Sequence, residues 1–258
     1  MNDAADPEFA TTEDALLDGR VRLLQPARGY RAGMDAALLA AACDLEPRER
    51  ALEAGCGAGA VLFQAWRRRP DSRFTGVERD PAALALAERN IVLNGAEGHV
   101  VVRAGDVGRG FAGQGFLQPG EQPFDLAIAN PPFFDDPDSL RAPAPEKQGA
   151  WIADTGLDAW TRFLLKAVRE GGRVILIHRA DRAFDVIALL AAQAGSFQLR
   201  PVHPFADEPA KRVLIRAVKT GKAPLQLLPP LVLHDRSGAK HTPEAEAILR
   251  GEADLRWA

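Results

Sequence analysis

The run Asn130-Pro131-Pro132-Phe133 stands directly behind an apolar segment, Phe124 to Ala129. A carboxamide oxygen followed by a proline-stiffened carbonyl presents two hydrogen-bond acceptors in a row. Such a pair can hold both N–H groups of a primary amine and aim its lone pair at an electrophile. Phe133 adds a flat apolar face on which a planar ring can stack. The competing reading is a plain strand-ending turn, since Asn-Pro is a common breaker.

Earlier in the chain, Glu53-Ala54-Gly55-Cys56-Gly57-Ala58-Gly59 follows one apolar segment and opens a helix. Glycines allow a sharp turn and a close approach of backbone to ligand. Glu78 closes the next apolar segment and Asp106 follows the third. An acid placed like Glu78 can accept both ribose hydroxyls of a nucleoside cofactor, and Asp106 can accept from an adenine amino group. Open α/β sheets bind ligands outside the carboxyl ends of their strands, so three acids at three successive strand ends should face one crevice. Singly, each acid reads as a helix cap or a surface group. Gly55, Gly57 and Ala60 also satisfy the dinucleotide fingerprint, which makes a nicotinamide cofactor a rival.

The elements that must position these groups follow a regular rhythm. Strand candidates are Arg50 to Ala54, Phe74 to Val77, Val100 to Arg103, Phe124 to Ala129, Arg173 to Ile177, Phe197 to Val202 and Val213 to Val218, with a short one at Val21 to Leu24. Helical stretches lie between most of them. One runs over 81–93 between an Asp80 cap and an Asn94-Gly95 stop, and others over 158–169 and 181–192. Asp35 is placed to cap an Ala/Leu helix reaching Cys43. Alternating strands and helices imply an α/β, doubly wound sheet. The last two strand candidates are joined by a loop too short for a crossover helix, so they should pair antiparallel. Two long loops, 108–120 and 133–150, read as functional lids or disordered segments.

Composition bounds the rest. A hydrophobic share of 47% in 258 residues suffices for a full core without disulfides. There is no apolar run long enough to span a membrane. The start of the chain is acidic and has neither a basic stretch nor an apolar block, unlike a secretory signal. Cys43 and Cys56 are expected to be reduced, in a cytoplasmic protein without structural zinc. The net charge of −3 conceals an asymmetry: residues 1–19 carry six acids and no base, which leaves 29 acids against 32 bases elsewhere. The bases form groups, Arg20/Arg22/Arg28/Arg31, Arg67–Arg69 with Arg73, and Lys211/Arg212/Arg216/Lys219/Lys222, which can steer a phosphate backbone or serve as a solvated surface. The expected division is an acidic flexible tail over 1–19, one domain over 20–250, and a C-terminal tail over 251–258.

Asn130-Pro131-Pro132-Phe133 resembles the motif of S-adenosylmethionine-dependent enzymes that methylate amino groups of adenine, of guanine in ribosomal RNA, or of protein glutamine, and the glycine turn resembles their cofactor motif. With Arg20 to Ala42, Lys211 to Arg216 and the end His241 to Gly251, roughly residues 16–250 resemble the bacterial tRNA(Val) adenine-N6 methyltransferase family. The resemblance implies a Rossmann-like methyltransferase fold with a seven-stranded mixed sheet and an antiparallel last strand. It implies S-adenosylmethionine as cofactor and N6 of an adenine next to the anticodon as target. Catalysis falls to Asn130, Pro131, Pro132 and Phe133. Cofactor contacts fall to Gly33, Asp35, Glu53, Gly55, Gly57, Gly59, Glu78, Asp106 and Asn130, with Gly33 and Asp35 closing over its methionine end. Guanine-N2, glutamine-N5, an NAD-dependent oxidoreductase and a non-catalytic RNA-binding module are the alternatives. The expected partner is tRNA, with no membrane and no metal. His178 and Cys56 read as packed groups rather than reactants.

Overall fold

The computed structural model describes residues 10–28, 31–117, 119–132, 156–236 and 238–257. Seven long strands make up the main sheet: β3 (Arg50–Ala54), β4 (Arg73–Glu78), β5 (Val100–Ala104), β6 (Phe124–Ala129), β7 (Val168–Arg179), β8 (Ala194–His203) and β9 (Arg212–Lys219). Their spatial order is β8-β9-β7-β6-β3-β4-β5. Neighbours from β5 to β7 are parallel, and β9 is antiparallel to both β7 and β8. The expected reversed strand is therefore present, wedged between β7 and β8. Two further strands of two residues each, β10 (Gln226–Leu227) and β11 (Leu231–Val232), pair with β8 and bring the sheet to nine. Sequence patterning does not reveal strands this short.

Helices cover both faces. On one lie α1 (Met34–Ala41), α2 (Ala60–Arg68) and α6 (Pro243–Arg250), sharing a core with Leu39, Phe63, Phe74 and Ile177. On the other lie α4 (Leu157–Ala167) and α5 (Ala183–Leu190), around Phe124, Phe163 and Leu164. Helix α3 (Pro81–Asn94) starts as its sequence requires: Asp80 accepts from the Ala82 amide, Pro81 occupies the first turn, and Gly95 ends it at φ 62°. β3 and β6 are buried along almost their whole length, as befits central parallel strands.

The described parts of both expected tails pack against the domain. Residues Thr11–Leu16 form β1, antiparallel to β2 (Val21–Pro26). Two acids there have cationic partners at the surface: Glu13 pairs with Arg22 and Asp14 with Arg31. Two asparagines of α3 bind β2 as a neighbouring strand would. Asn94 Oδ1 accepts from Arg22 N at 3.0 Å and Asn90 Oδ1 from Leu24 N at 2.8 Å, while their amides donate back to the Arg22 and Leu24 carbonyls. At the other end, Leu255 and Trp257 are buried against α1, with Leu255 N donating to Ala41 O and the Trp257 indole to Ala42 O. Helix α6 was not anticipated, although Thr242-Pro243 at its start and Gly251 at its stop are ordinary boundary signals.

Candidate active site

The strand order reverses between β3 and β6, the place where open α/β sheets hold ligands. Register brings the two sequence motifs together there. Ala54 and Ala129 are paired residues, so the glycine turn and Asn130 leave the sheet side by side. The turn is fastened to β4: Gly55 N and Cys56 N both donate to Val77 O, at 2.8 and 3.0 Å. Gly55 and Gly59 sit at φ 67° and 93°, where a side chain is strained, and a Cβ on Gly55 would lie 2.6 Å from the Trp160 indole. Gly55 is exposed, so its backbone is open to a ligand.

Glu78, half-buried at the end of β4, is already engaged. Its Oε2 accepts from Gly57 N and its Oε1 from Arg79 N and Asp80 N, each at 2.8 Å. Of about four lone-pair directions on a carboxylate this leaves one, so a ribose diol that takes more must displace an amide. Asp106, also half-buried, caps the short 3-10 turn Val107–Arg109 by accepting from Gly108 N at 2.8 Å, and Gln114 clamps its backbone on both sides. The described part of the 108–120 loop is held down by Phe111 and Phe116, whose rings meet Phe163.

Glu53 does not join the other two acids on the open crevice. It is 2% exposed, beneath the turn. Burial holds its carboxyl well above the usual range, and the Glu78 charge adds to this against a Leu62 amide hydrogen bond. Its Oε2 has no hydrogen-bond partner among the described residues.

Asp35 does not cap α1. Gly33 occupies the cap position without a side-chain bond, and Asp35 lies in the first turn, accepting from Arg212 Nε at 2.9 Å. That pair ties α1 to the start of β9. It also removes Arg212 from the set of cations expected to face only solvent or RNA, and it is typical of the basic groups. Arg216 pairs with Asp44, Lys219 with Glu170, and Arg68 and Arg69 with Asp254. His178 is fully buried, and burial, with Arg182 and Arg179 nearby, lowers its imidazole to about 4. Cys43 and Cys56 are buried free thiols whose ionisation burial disfavours. Pro131 is buried and Pro132 half-buried beside Asn130, while Phe133 and the 133–150 loop lie outside the described residues. No helix among the described residues is long and apolar enough to cross a membrane, and no group of three metal-ligating side chains occurs among them.

The geometry fits a nucleoside cofactor: a left-handed glycine turn open to ligand, with a carboxylate bonded across it. The family model for the methyltransferase small domain matches residues 31–142. A tRNA1(Val) (adenine(37)-N6)-methyltransferase of Porphyromonas gingivalis is 29% identical, over 71% of this chain and 72% of that protein. One of Haemophilus influenzae is 29% identical, over 57% of this chain and 60% of that protein, so the match leaves two fifths of that relative uncovered. Among solved structures, a predicted O-methyltransferase of Agrobacterium tumefaciens is 25% identical, with a TM-score of 0.70 over 86% of this chain and 98% of that one. The α/β fold is that of a Rossmann-like methyltransferase.

Proposed function

We propose that this chain belongs to the bacterial tRNA(Val) adenine-N6 methyltransferase family and methylates the exocyclic N6 of an adenine in tRNA, next to the anticodon. The observation that carries the reading is the pairing of Ala54 with Ala129, which sets the glycine turn beside Asn130. S-adenosylmethionine, the cofactor of this fold and family, supplies an electrophilic methyl group.

In this reading Gly55, Gly57 and Gly59 let the backbone approach the cofactor, Glu78 binds its ribose and Asp106 its adenine. Glu53 supports the turn from beneath. Gly33 and Asp35, held by Arg212, close over the methionine end. The target amine is a weak nucleophile because its lone pair is delocalised into the ring. The Asn130 Oδ1 and the Pro131 carbonyl accept its two N–H bonds and turn the lone pair toward the methyl carbon. As the N–C bond forms, the S–C bond breaks onto sulfur, and the extra proton leaves to water. No basic side chain is required. Pro132 stiffens the frame, and Phe133 stacks on the flipped base. Residing with its substrate, the protein works in the cytoplasm.

Guanine-N2 and glutamine-N5 are the acceptors to exclude, because the Asn-Pro pair suits any of the three amines. Tritium from labelled S-adenosylmethionine, followed into tRNA, ribosomal RNA and protein fractions, tests the reading. Label in N6-methyladenine of tRNA is expected; label confined to ribosomal RNA or protein overturns it.

A further inference from the structure

Five large apolar side chains are exposed among the described residues, and their positions differ in kind. Val92 lies in the last turn of α3 and Val101 near the start of β5, both toward the end of the sheet opposite the crevice, and Leu225 and Leu227 lie beside the middle of β8. Phe184 alone follows the carboxyl end of a central strand, in the first turn of α5, and it is the most exposed of the five at 79%.

Its surroundings hold charges of both signs, with two arginines in the turn just before it. The turn from β7 into α5 reads Arg179-Ala180-Asp181-Arg182-Ala183-Phe184. Ala180 N donates to Lys211 O at 3.2 Å, and Arg179 is paired in register with Arg212, so the turn lies beside Lys211 and the Asp35-bound Arg212. Arg179 is bonded to Asp181 and Arg182 to Asp185, in exposed ion pairs between close neighbours in sequence. Such pairs are worth little in water. The site lies one strand from Asn130: Ala129 is paired with Leu176 on β7, and that strand runs three residues further to Arg179.

We propose that Phe184 is a stacking platform for an unpaired nucleotide of the RNA next to the methylated adenine, with Arg179 and Arg182 taking the adjoining phosphates. The inference rests on RNA being the substrate and goes beyond it by assigning where the flanking strand runs. A protein partner or a second copy of this chain fits the surface less well. A stable protein interface needs about 800 Å² per partner, whereas one exposed aromatic ring preceded by two arginines in the same turn matches what a single base and its phosphate require.

The test compares wild-type protein with Phe184→Ala, Phe184→Leu and Phe184→Trp. tRNA binding and KM, kcat at saturating tRNA, S-adenosylhomocysteine affinity by calorimetry, and molecular mass by light scattering are measured for each. Phe184→Ala and Phe184→Leu are expected to raise the KM for tRNA by roughly 5- to 100-fold, the scale of one lost base stack, and Phe184→Trp to restore it. Cofactor affinity, kcat and mass should stay unchanged. A wild-type KM in Phe184→Ala or Phe184→Leu overturns the platform, as does a loss that tracks a change from dimer to monomer. A wild-type enzyme that labels protein but no RNA overturns the substrate reading itself, and that result precedes any variant.

Discussion

The Gly57 amide donates to Glu78 Oε2 at 2.8 Å, so the acid ending β4 and the glycine turn ending β3 form one hydrogen-bonded unit. Because Glu78 also accepts from Arg79 N and Asp80 N, it fixes the start of α3 as well. Glu78→Ala is expected to weaken S-adenosylhomocysteine binding by about 1–3 kcal/mol, and to lower stability on a similar scale, since three amides lose their acceptor. Calorimetry and denaturant unfolding read the two effects separately. Unchanged cofactor affinity in a destabilised variant would reduce Glu78 to a structural tie.

The buried His178 gives a pH signature. Its value of about 4 in the fold lies below its unfolded value, so the folded protein binds fewer protons. Its contribution is therefore present above about pH 6.5 and is lost as pH falls toward 4, to a limit of about 3 kcal/mol. Unfolding free energies of wild type and His178→Asn across that window should diverge accordingly, with wild type losing more on acidification. Parallel curves would mean that His178 titrates alike in both states.

Lys211 and Arg212 adjoin in sequence but differ in what they touch. Arg212 is bonded to Asp35, whereas Lys211 is exposed at the end of the β8–β9 loop. Lys211→Ala should flatten the salt dependence of tRNA binding by a slope of about 1 without changing Tm. Arg212→Ala should instead cost about 0.2–1 kcal/mol of stability, the scale of a partly exposed ion pair, and weaken cofactor binding through Asp35. Identical profiles for the two variants would contradict this division.

What the sequence conveyed follows the range of the signals involved. The glycine turn, the α3 boundaries, the reversed β9 and the nearness of Glu78 to the crevice rest on local residue chemistry, and all are legible along the chain. The partners of charged groups are not. Asp35 reads as a cap because its local position suits one, but Arg212, 177 residues away, claims it instead. Glu13 and Asp14 read as part of a solvated tail because nothing local shows that Arg22 and Arg31 will face them across β1 and β2. Glu53 reads as a crevice acid from its place near a strand end, yet it is buried, with the Leu62 amide of α2 as a hydrogen-bond partner. In each case tertiary pairing decides what composition leaves open.

Asn130 carries the reaction type, so its substitution is the most discriminating experiment. The side chain follows Ala129, whose register partner Ala54 leads into the glycine turn. In the proposed reaction it touches the target amine and not the adenosine of the cofactor. Asn130→Ala should therefore leave S-adenosylhomocysteine affinity nearly intact while lowering the rate at saturating tRNA. One preorganised hydrogen bond is worth about 2–4 kcal/mol in a transition state, a rate loss of roughly 30- to 1000-fold. Phe133→Ala should act differently, weakening the binding of tRNA by the loss of a base stack, about 1–3 kcal/mol. Single-turnover rates separate the two, because saturating RNA rescues a binding defect and leaves a defect in lone-pair alignment untouched. An Asn130→Ala protein that methylates tRNA at the wild-type rate would make Asn130-Pro131-Pro132-Phe133 a structural turn and remove the main support for amine methylation.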